Sequence, residues 1–183
     1  MTPALTFQAM RVVFVCTGNL CRSPMAEALL RHALQEQGCP NVEVLSCGSW
    51  ADLDSPATPA AIEAVACLGA DLSAHRSRPL DPGILRSAAL IVVMTSVHLR
   101  EVLEKAPDVG DRLFLMKELA QIDPAAWAAP TPWERLRRLR TAPRPERRRA
   151  LDLGDPFGLP PAAYERCSAE IEDGVRVLAR VLC

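Results

Sequence analysis

The sequence has few aromatic residues and no excess of charge of either sign. Phe, Trp and Tyr make up 4% of its 183 residues, and the formal net charge is −1. A near-neutral chain has no overall attraction to nucleic acid or to an anionic membrane surface. Because regularly interleaved aromatic and basic residues are also lacking, we expect no nucleic-acid partner.

Long apolar runs and regularly spaced cysteines are missing as well. No stretch approaches the roughly 20 apolar residues of a membrane span, and residues 1–8 lack the basic start and apolar core of a secretory signal. The seven cysteines show neither the spacing of a disulfide framework nor paired Cys-x-x-Cys metal sites. These absences predict a cytoplasmic protein with reduced thiols, no membrane span, no metal and no other cofactor.

The apolar content is high enough for one globular domain with a substantial core. Apolar residues make up 49% of the chain, and strand-like runs alternate with helical or polar segments, which is typical of a parallel sheet. The predicted strands are 11–16, 42–47, 88–95 and 112–116, and the predicted helices are 24–37, 58–68, 82–86, 96–104 and 161–182. The sequence therefore predicts a single α/β domain over 1–183 with a four-stranded parallel sheet.

The first predicted strand ends in a cysteine that is followed by a short loop and an arginine. Cys16 and Arg22 are six residues apart, and Gly18 and Asn19 between them tolerate positive φ. A loop that curls in this way directs successive backbone N–H groups to one point, where they can bind a tetrahedral oxyanion. The end of the first strand is also where a parallel sheet of this kind usually places its ligand. This loop is therefore the leading candidate for catalysis.

The residues after the loop predict the start of a helix. Ser23 is expected to cap this helix, with Pro24 at the first position, where a missing N–H costs little. The positive end of the helix, the converging amides and Arg22 all favour a negative charge on Cys16, which we expect to be a thiolate at neutral pH. Arg22 presents a planar fork of donors that can hold two phosphoryl oxygens.

The segment Cys-Thr-Gly-Asn-Leu-Cys-Arg-Ser resembles the loop of the low-molecular-weight protein tyrosine phosphatase family at every fixed position. The resemblance implies a three-layer, flavodoxin-like fold of the phosphotyrosine phosphatase I type, with helices on both faces of the sheet. It also implies that Cys16 is the nucleophile and that Arg22 binds the phosphoryl group. The implied substrate-binding residues of the loop are Thr17, Gly18, Asn19, Leu20, Cys21 and Ser23.

Phosphoryl transfer to a thiolate also needs an acid for the leaving oxygen and then a base for water, and one carboxyl group can serve both steps. Asp155 is the candidate, because Pro156 restricts the backbone on both sides of the peptide bond that joins them. The resembled family carries its general acid in such a late Asp-Pro-aromatic motif, with Phe157 here as the aromatic residue. Gly158 departs from the pattern, since many relatives have a second aromatic residue there.

Two further residues are matched to the family by position. His75 and Ser46 correspond to side chains that join Asn19 and Ser23 in a hydrogen-bond network behind the loop. We expect such a network to hold the strained loop in place. His32 and His98 have no such context in the sequence.

The depth of the predicted nucleophile favours an aryl phosphate over the shorter phosphates of serine and threonine. Trp50 and Phe157 are candidate walls for the tyrosyl ring, although Trp50 fits ordinary packing equally well. Leu20 favours tyrosine, because relatives that act on phosphoarginine carry a small threonine at that position. The predicted substrate is therefore a phosphotyrosine-containing protein, with protein arginine phosphatase activity as the alternative.

Two more distant alternatives remain. Arsenate reductases of this fold relay a disulfide through downstream cysteines, but residues 88–115, where the relay pair is expected, contain none. A catalytically silent phosphotyrosine-binding protein would not need Asp155. Cys21 has two interpretations: it is either a small packed residue or, as the resemblance implies, a disulfide partner that protects Cys16 from irreversible oxidation.

Residues 124–150 form a segment rich in Pro and Arg that is longer than the corresponding connection in the family. Thr131 and Glu134 make a capping-box pattern with Pro132 at the first helical position, which predicts a short basic helix. The side chains predicted to face the body are Trp133, Leu136 and Leu139. The basic face is either simply solvated or recruits acidic phosphoprotein segments or an anionic surface.

Overall fold

The computed structural model describes residues 10–146 and 149–183. The expectations for the N-terminal segment, and for positions 147 and 148 of the Pro/Arg-rich segment, fall outside these ranges. Four parallel strands form one sheet in the order β2-β1-β3-β4. The strands are β1 (Met10–Cys16), β2 (Val42–Gly48), β3 (Leu90–Val93) and β4 (Leu113–Leu115). The predicted four-stranded parallel sheet is confirmed, with β3 and β4 shorter than expected.

All predicted helices are present, and two single-turn helices were not predicted. The helices are α1 (Arg22–Glu36), α2 (Pro59–Ala66), α3 (Pro82–Ser87), α4 (Ser96–Lys105), α5 (Met116–Leu119), α6 (Pro124–Trp127), α7 (Pro132–Thr141) and α8 (Pro161–Leu182). Short 3₁₀ turns cover Pro107–Arg112 and Arg149–Leu151. Within the described residues, no helix combines the length and the apolar character that crossing a membrane requires.

The sheet lies between two helical layers, because β1 alternates its side chains between two apolar clusters. Val12 and Phe14 pack in the cluster that also contains residues of α1 and α8. Val13 and Val15 pack in the other cluster, with residues of α3 and α4. All four side chains have no exposed surface. The three-layer architecture predicted for this chain is therefore confirmed.

The strand order places β1 at the centre of the site. From β1 the chain passes to β2 on one side and then to β3 on the other side, so the direction of winding reverses at β1. A crevice opens at such a reversal, outside the carboxyl ends of the strands. Cys16 is the last residue of β1 and therefore lies at this crevice.

Helix α7 forms where the capping box predicts it. Thr131 Oγ1 accepts from the backbone N–H of Glu134, and the Thr131 N–H donates to the Glu134 carboxylate, both at 3.3 Å. Leu136 and Leu139 are buried as expected. The expectation for Trp133 is wrong, since its side chain is 44% exposed. It lies in the first turn and lines a surface groove together with Pro40.

The expectation that every thiol is reduced is also wrong. Cys39, which follows α1, forms a disulfide with Cys183 at the end of α8. The two residues are 144 positions apart in sequence, so only the folded chain brings them together. The cysteines that remain free are Cys16, Cys21, Cys47, Cys67 and Cys167.

Candidate active site

The loop after β1 has the curled form that the sequence predicts. Asn19 adopts a φ of 54°, in the left-handed region, whereas Gly18 does not use its freedom to do so. Cys16 is only 3% exposed at the base of the loop. On the β2 side, the backbone N–H groups of Ser49 and Trp50 donate to the carbonyls of Cys16 and Thr17 at 2.9 and 3.0 Å. The loop is thus fixed to the end of β2 by main-chain bonds.

Helix α1 begins at Arg22, two residues earlier than predicted, and Ser23 does not cap it. Cys21 occupies the cap position without a side-chain hydrogen bond. The hydroxyl of Ser23 instead accepts from Asn19 Nδ2 at 2.9 Å and lies 2.9 Å from Cys16 Sγ. Two acceptors lie within reach of the Ser23 proton, the Cys16 sulfur at 2.9 Å and the Cys47 carbonyl at 3.4 Å. The structure therefore places Ser23 against Cys16 and not at the end of the helix backbone.

A buried hydrogen-bond network supports the loop from behind. Asn19 Nδ2 also donates to Ser46 Oγ at 2.8 Å, and Asn19 Oδ1 accepts from the Arg78 backbone N–H at 2.9 Å. His75 Nε2 donates to the Asn19 carbonyl at 2.8 Å, and burial of the ring lowers the pKa of His75. The structure thus brings together Asn19, Ser23, Ser46 and His75, the residues matched by position.

Glu27 is a member of this network that sequence reasoning missed. Its side chain is 4% exposed, accepts from Ser46 Oγ at 2.5 Å and pairs with Arg31 at 2.7 Å. Glu27 follows Ser23 by four residues, so both lie on the same face of α1. A carboxylate on the buried face of a helix was the available signal, because such a group needs partners in the fold.

The candidate acid Asp155 reaches the loop because the preceding residues are fixed to the end of β3. Asp152 accepts from the backbone N–H and the hydroxyl of Ser96 at 2.6 and 3.0 Å, and the Leu153 N–H donates to the Met94 carbonyl at 2.8 Å. Arg22 Nη2 then lies 2.6 Å from Asp155 Oδ2.

This ion pair joins the start of α1 to a residue 133 positions later. The Arg22 side chain is 5% exposed, whereas that of Asp155 is 47% exposed. The arginine therefore belongs to the floor of the site and the carboxylate to its mouth.

Two exposed aromatic side chains flank the loop. Trp50 is 78% exposed and Phe157 is 60% exposed, so neither packs in the core. The indole Nε1 of Trp50 donates to Glu101 Oε1 at 3.1 Å, which limits the directions the ring can take. The Phe157 N–H donates to Asp155 Oδ1 at 3.2 Å. Both rings are thus accessible to a flat apolar group approaching the loop.

Two glycines near the loop have structural reasons to be glycine. A Cβ on Gly48 would lie 2.4 Å from the Thr17 carbonyl oxygen and 2.9 Å from the Asn19 nitrogen. Gly48 therefore allows the end of β2 to approach the loop closely. Gly158 has a φ of 75° and open space around it. This left-handed backbone conformation disfavours a side chain, and it occurs at the position where many relatives carry a second aromatic residue.

His98 contacts the loop, although nothing in the sequence singled it out. Its ring is 3% exposed and lies between two hydroxyl groups, with Nε2 2.9 Å from Thr17 Oγ1 and Nδ1 2.9 Å from Thr95 Oγ1. Burial and the neighbouring Arg22 guanidinium lower the pKa of His98 from 6.5 to about 4. The imidazole is therefore neutral at physiological pH.

This lowered pKa makes stability depend on pH. The unfolded chain protonates His98 below pH 6.5 and the folded chain only near pH 4, so acid favours unfolding. The stabilisation is fully present above pH 6.5 and is lost as pH falls towards 4, with a contribution of up to about 3 kcal/mol. Urea unfolding at pH 7 and pH 5 should show a smaller loss for His98→Gln than for the wild type. Equal losses would contradict this prediction.

Cys21 is buried behind the loop, where desolvation raises the pKa of its thiol. Its sulfur lies 3.4 Å from Thr58 Oγ1 and 3.8 Å from the Tyr164 hydroxyl. These contacts fit the packed state of Cys21. A protective disulfide with Cys16 stays a prediction.

Known proteins resemble this chain in sequence. Residues 11–139 match the sequence profile of the low molecular weight phosphotyrosine protein phosphatase family. Over 112 residues, 61% of this chain and 74% of the relative, the sequence is 41% identical to a probable low molecular weight protein-tyrosine-phosphatase, EpsP, of Ralstonia solanacearum. Over 173 residues, 94% of this chain and 97% of the relative, it is 32% identical to a protein-arginine-phosphatase of Bacillus subtilis.

Solved structures show the same similarity over nearly the full length. The YwlE arginine phosphatase superposes with a TM-score of 0.72 at 32% identity, covering 93% of this chain and 94% of that one. A low molecular weight protein tyrosine phosphatase from T. tengcongensis gives a TM-score of 0.73 at 29% identity, covering 93% and 98%. Sequence, fold and loop agree: the chain belongs to the low-molecular-weight protein tyrosine phosphatase family, whose members are cysteine-dependent phosphatases.

Proposed function

We propose that this protein hydrolyses phosphotyrosine in protein substrates through a phosphocysteine intermediate. The observation that carries the proposal is the 2.6 Å contact between Arg22 and Asp155. It brings a carboxyl group from the far end of the chain to the mouth of the loop whose base holds Cys16. A binding protein needs the loop alone, whereas turnover needs a proton donor at this place.

In the first step, the Cys16 sulfur attacks phosphorus and the bond from phosphorus to the tyrosyl oxygen breaks. Backbone N–H groups of the loop and the Arg22 guanidinium hold the equatorial oxygens. Asp155, protonated, gives its proton to the tyrosyl oxygen, which leaves as a phenol. The Ser23 hydroxyl, 2.9 Å from the sulfur, stabilises the thiolate before the attack.

In the second step, water attacks the phosphorus of phosphocysteine. Asp155, now a carboxylate, takes a proton from this water while the bond between sulfur and phosphorus breaks. Inorganic phosphate leaves and the thiolate returns. When a phosphoryl dianion occupies the loop, it competes with Asp155 for Arg22, which frees the carboxyl group for both proton transfers.

The rim of the site supports an aryl substrate. The rings of Trp50 and Phe157 are both exposed, and such rings stack favourably on a tyrosyl ring. Leu20 adds an aliphatic side chain inside the loop. It folds back over Gly18, where its Cγ lies 3.6 Å from the position of a Cβ on that glycine.

Protein arginine phosphatase activity is the second candidate. The observation that favours it is the nearly full-length similarity to the arginine phosphatase of Bacillus subtilis, which covers 94% of this chain. The two activities use the same nucleophile and phosphate loop and differ in the leaving group.

Replacing Leu20 with threonine tests the choice of substrate. We expect the wild type to hydrolyse a phosphotyrosine peptide with a higher kcat/KM than a phosphoarginine peptide of the same sequence. Leu20→Thr should shift this ratio towards phosphoarginine by about 10-fold, the usual effect of reshaping an apolar pocket by a few atoms. Steady-state kinetics on the two peptides measure the ratio.

Leu53→Thr is the matched control, since Leu53 is 75% exposed, and it should leave the ratio unchanged. A wild type that prefers phosphoarginine would establish the second candidate. Arsenate reduction measured alongside tests the remaining enzymatic alternative. Failure of all three reactions would favour a phosphotyrosine-binding protein.

The proposed chemistry also supports a cytoplasmic location. Cys16 acts only as a free thiol, and the cytoplasm keeps thiols reduced, whereas the Cys39–Cys183 disulfide is a bond that this compartment disfavours. Fractionation of the native organism with an antibody against the full chain would test the location.

A further inference from the structure

His98 does not belong to the network of Asn19, Ser23, Ser46 and His75. Its side chain contacts Thr17 and Thr95 instead. It belongs to the first turn of α4, and Thr17, which it contacts, directly follows Cys16. The ring is nearly fully buried, and each of its nitrogens has a threonine hydroxyl at 2.9 Å. The ring thus connects Thr95, after the end of β3, to Thr17, at the start of the loop after β1.

The protonation state of the ring follows from its surroundings. The charged groups that face it are Arg22, Glu101, Asp152 and Asp155. Burial and Arg22 outweigh the three carboxylates and lower the pKa of His98 to about 4. At neutral pH one ring nitrogen therefore carries a proton and the other is an acceptor.

The contacts of Thr95 favour one of the two neutral forms of the ring. Thr95 caps α4, and its Oγ1 accepts from the His98 backbone N–H at 3.4 Å. Among the described contacts, the acceptor within reach of the Thr95 hydroxyl proton is Nδ1 at 2.9 Å, and donation to it places the ring proton on Nε2. Nε2 donates to Thr17 Oγ1, so the two hydroxyl groups and the ring form one directed chain.

The direction of this chain determines where the Thr17 hydroxyl proton goes. Because Thr17 Oγ1 accepts from His98, its own proton is available to another acceptor. Thr17 is an exposed residue and directly follows Cys16 at the start of the loop. The acceptor that we expect at this position is a phosphoryl oxygen held by the loop.

Resting on the proposed function, we propose that His98 is a positioning residue that directs the Thr17 hydroxyl proton at the bound phosphoryl group. Thr17 then adds a side-chain donor to the backbone donors of the loop, and it does so without reorienting when charge moves onto the phosphoryl oxygens. Donors fixed in advance in this way are the main source of electrostatic stabilisation in enzymes.

A double-mutant cycle tests the proposal. His98→Ala and Thr17→Val should each lower kcat/KM for a phosphotyrosine peptide by about 10-fold, the effect of one lost hydrogen bond to a charged group. If His98 acts through Thr17, the double variant should also lose about 10-fold, and not the roughly 100-fold of independent effects. Additive losses would overturn the proposal.

Conservative variants separate this role from a merely structural one. Thr17→Ser keeps the hydroxyl, so His98→Ala should cost as much in that background as in the wild type. An unchanged rate of His98→Ala in the serine background would contradict the proposal. His98→Gln replaces His98→Ala in the cycle if the alanine variant does not fold. His32→Ala is the matched control, because His32 lies on α1 away from the loop and should show wild-type kinetics.

The same cycle on the affinity for inorganic phosphate needs no turnover. Calorimetric titration of wild type, both single variants and the double variant should show the same non-additivity. Coupling in phosphate binding together with an inactive wild type would mean that the proposed function fails while the role of His98 stands. An active enzyme that shows no coupling in either measurement would mean that the proposed function stands while the role of His98 fails.

Discussion

Hydrolysis of a phosphotyrosine peptide by the Cys16→Ser variant is expected to fall by about 10⁴-fold or more, as for other nucleophiles that act with a general acid. The thiolate attacks phosphorus, whereas a serine hydroxyl stays protonated at neutral pH. In the described part of the chain, the side-chain hydrogen bond of the sulfur is to Ser23 Oγ at 2.9 Å, and a hydroxyl is not a base that could activate the serine. The loss should therefore appear in kcat.

Binding should survive this substitution, because the loop amides and Arg22 are unchanged. Titration with inorganic phosphate should give a dissociation constant within a few-fold of the wild type. Cys67→Ser is the matched control, since Cys67 is an exposed free thiol, and it should keep full activity. Residual turnover of more than about one hundredth of the wild type would assign the nucleophile elsewhere.

Replacing Asp155 with alanine is expected to lower kcat for a phosphotyrosine peptide by about 10²- to 10⁴-fold, the range of general acid–base catalysis. Both proton transfers depend on this carboxyl group. Urea unfolding should be measured alongside, because Arg22 is only 5% exposed and loses its ion-pair partner, which can lower the stability of the fold as well.

The leaving group distinguishes loss of the acid from loss of the ion pair with Arg22. With 4-nitrophenyl phosphate, whose phenolate leaves without a proton, Asp155→Ala should cost much less than with phenyl phosphate. Asp155→Asn should behave like the alanine variant although it keeps a hydrogen-bonding side chain. Asp123→Ala, at another Asp-Pro pair, is the control and should be active. Equal losses on both esters would remove the acid role from Asp155.

Local patterns in the sequence were enough to predict the sheet, the main helices and the loop. The alternation of apolar strands with helices determines the layers, and the residues around Gly18 and Asn19 determine the curl after Cys16. Even the capping box of α7 was visible, because it needs only Thr131 and Glu134 three residues apart. Interactions over such short separations depend on the chain itself and hardly on tertiary packing.

The parts that could not be predicted depend on contacts between distant residues. His98 reaches Thr17 across 81 positions, and nothing near either residue indicates the contact. Ser23 has the pattern of a helix cap, but its hydroxyl bonds to Cys16 and Asn19, because the folded loop brings better partners close. Trp133 follows the helical period, but it lines a surface groove and is 44% exposed.

The bridge between Cys39 and Cys183 has a practical consequence for anyone who works with the enzyme. Both of its residues are only partly covered, so a thiol reagent added to keep the nucleophile active has access to the bridge too. Reaction rates measured with a reductant and melting curves recorded without one then describe two molecules that differ in this covalent bond. Mass spectrometry of alkylated samples would show which one is present in each buffer, and rates and stabilities should be compared only within one form.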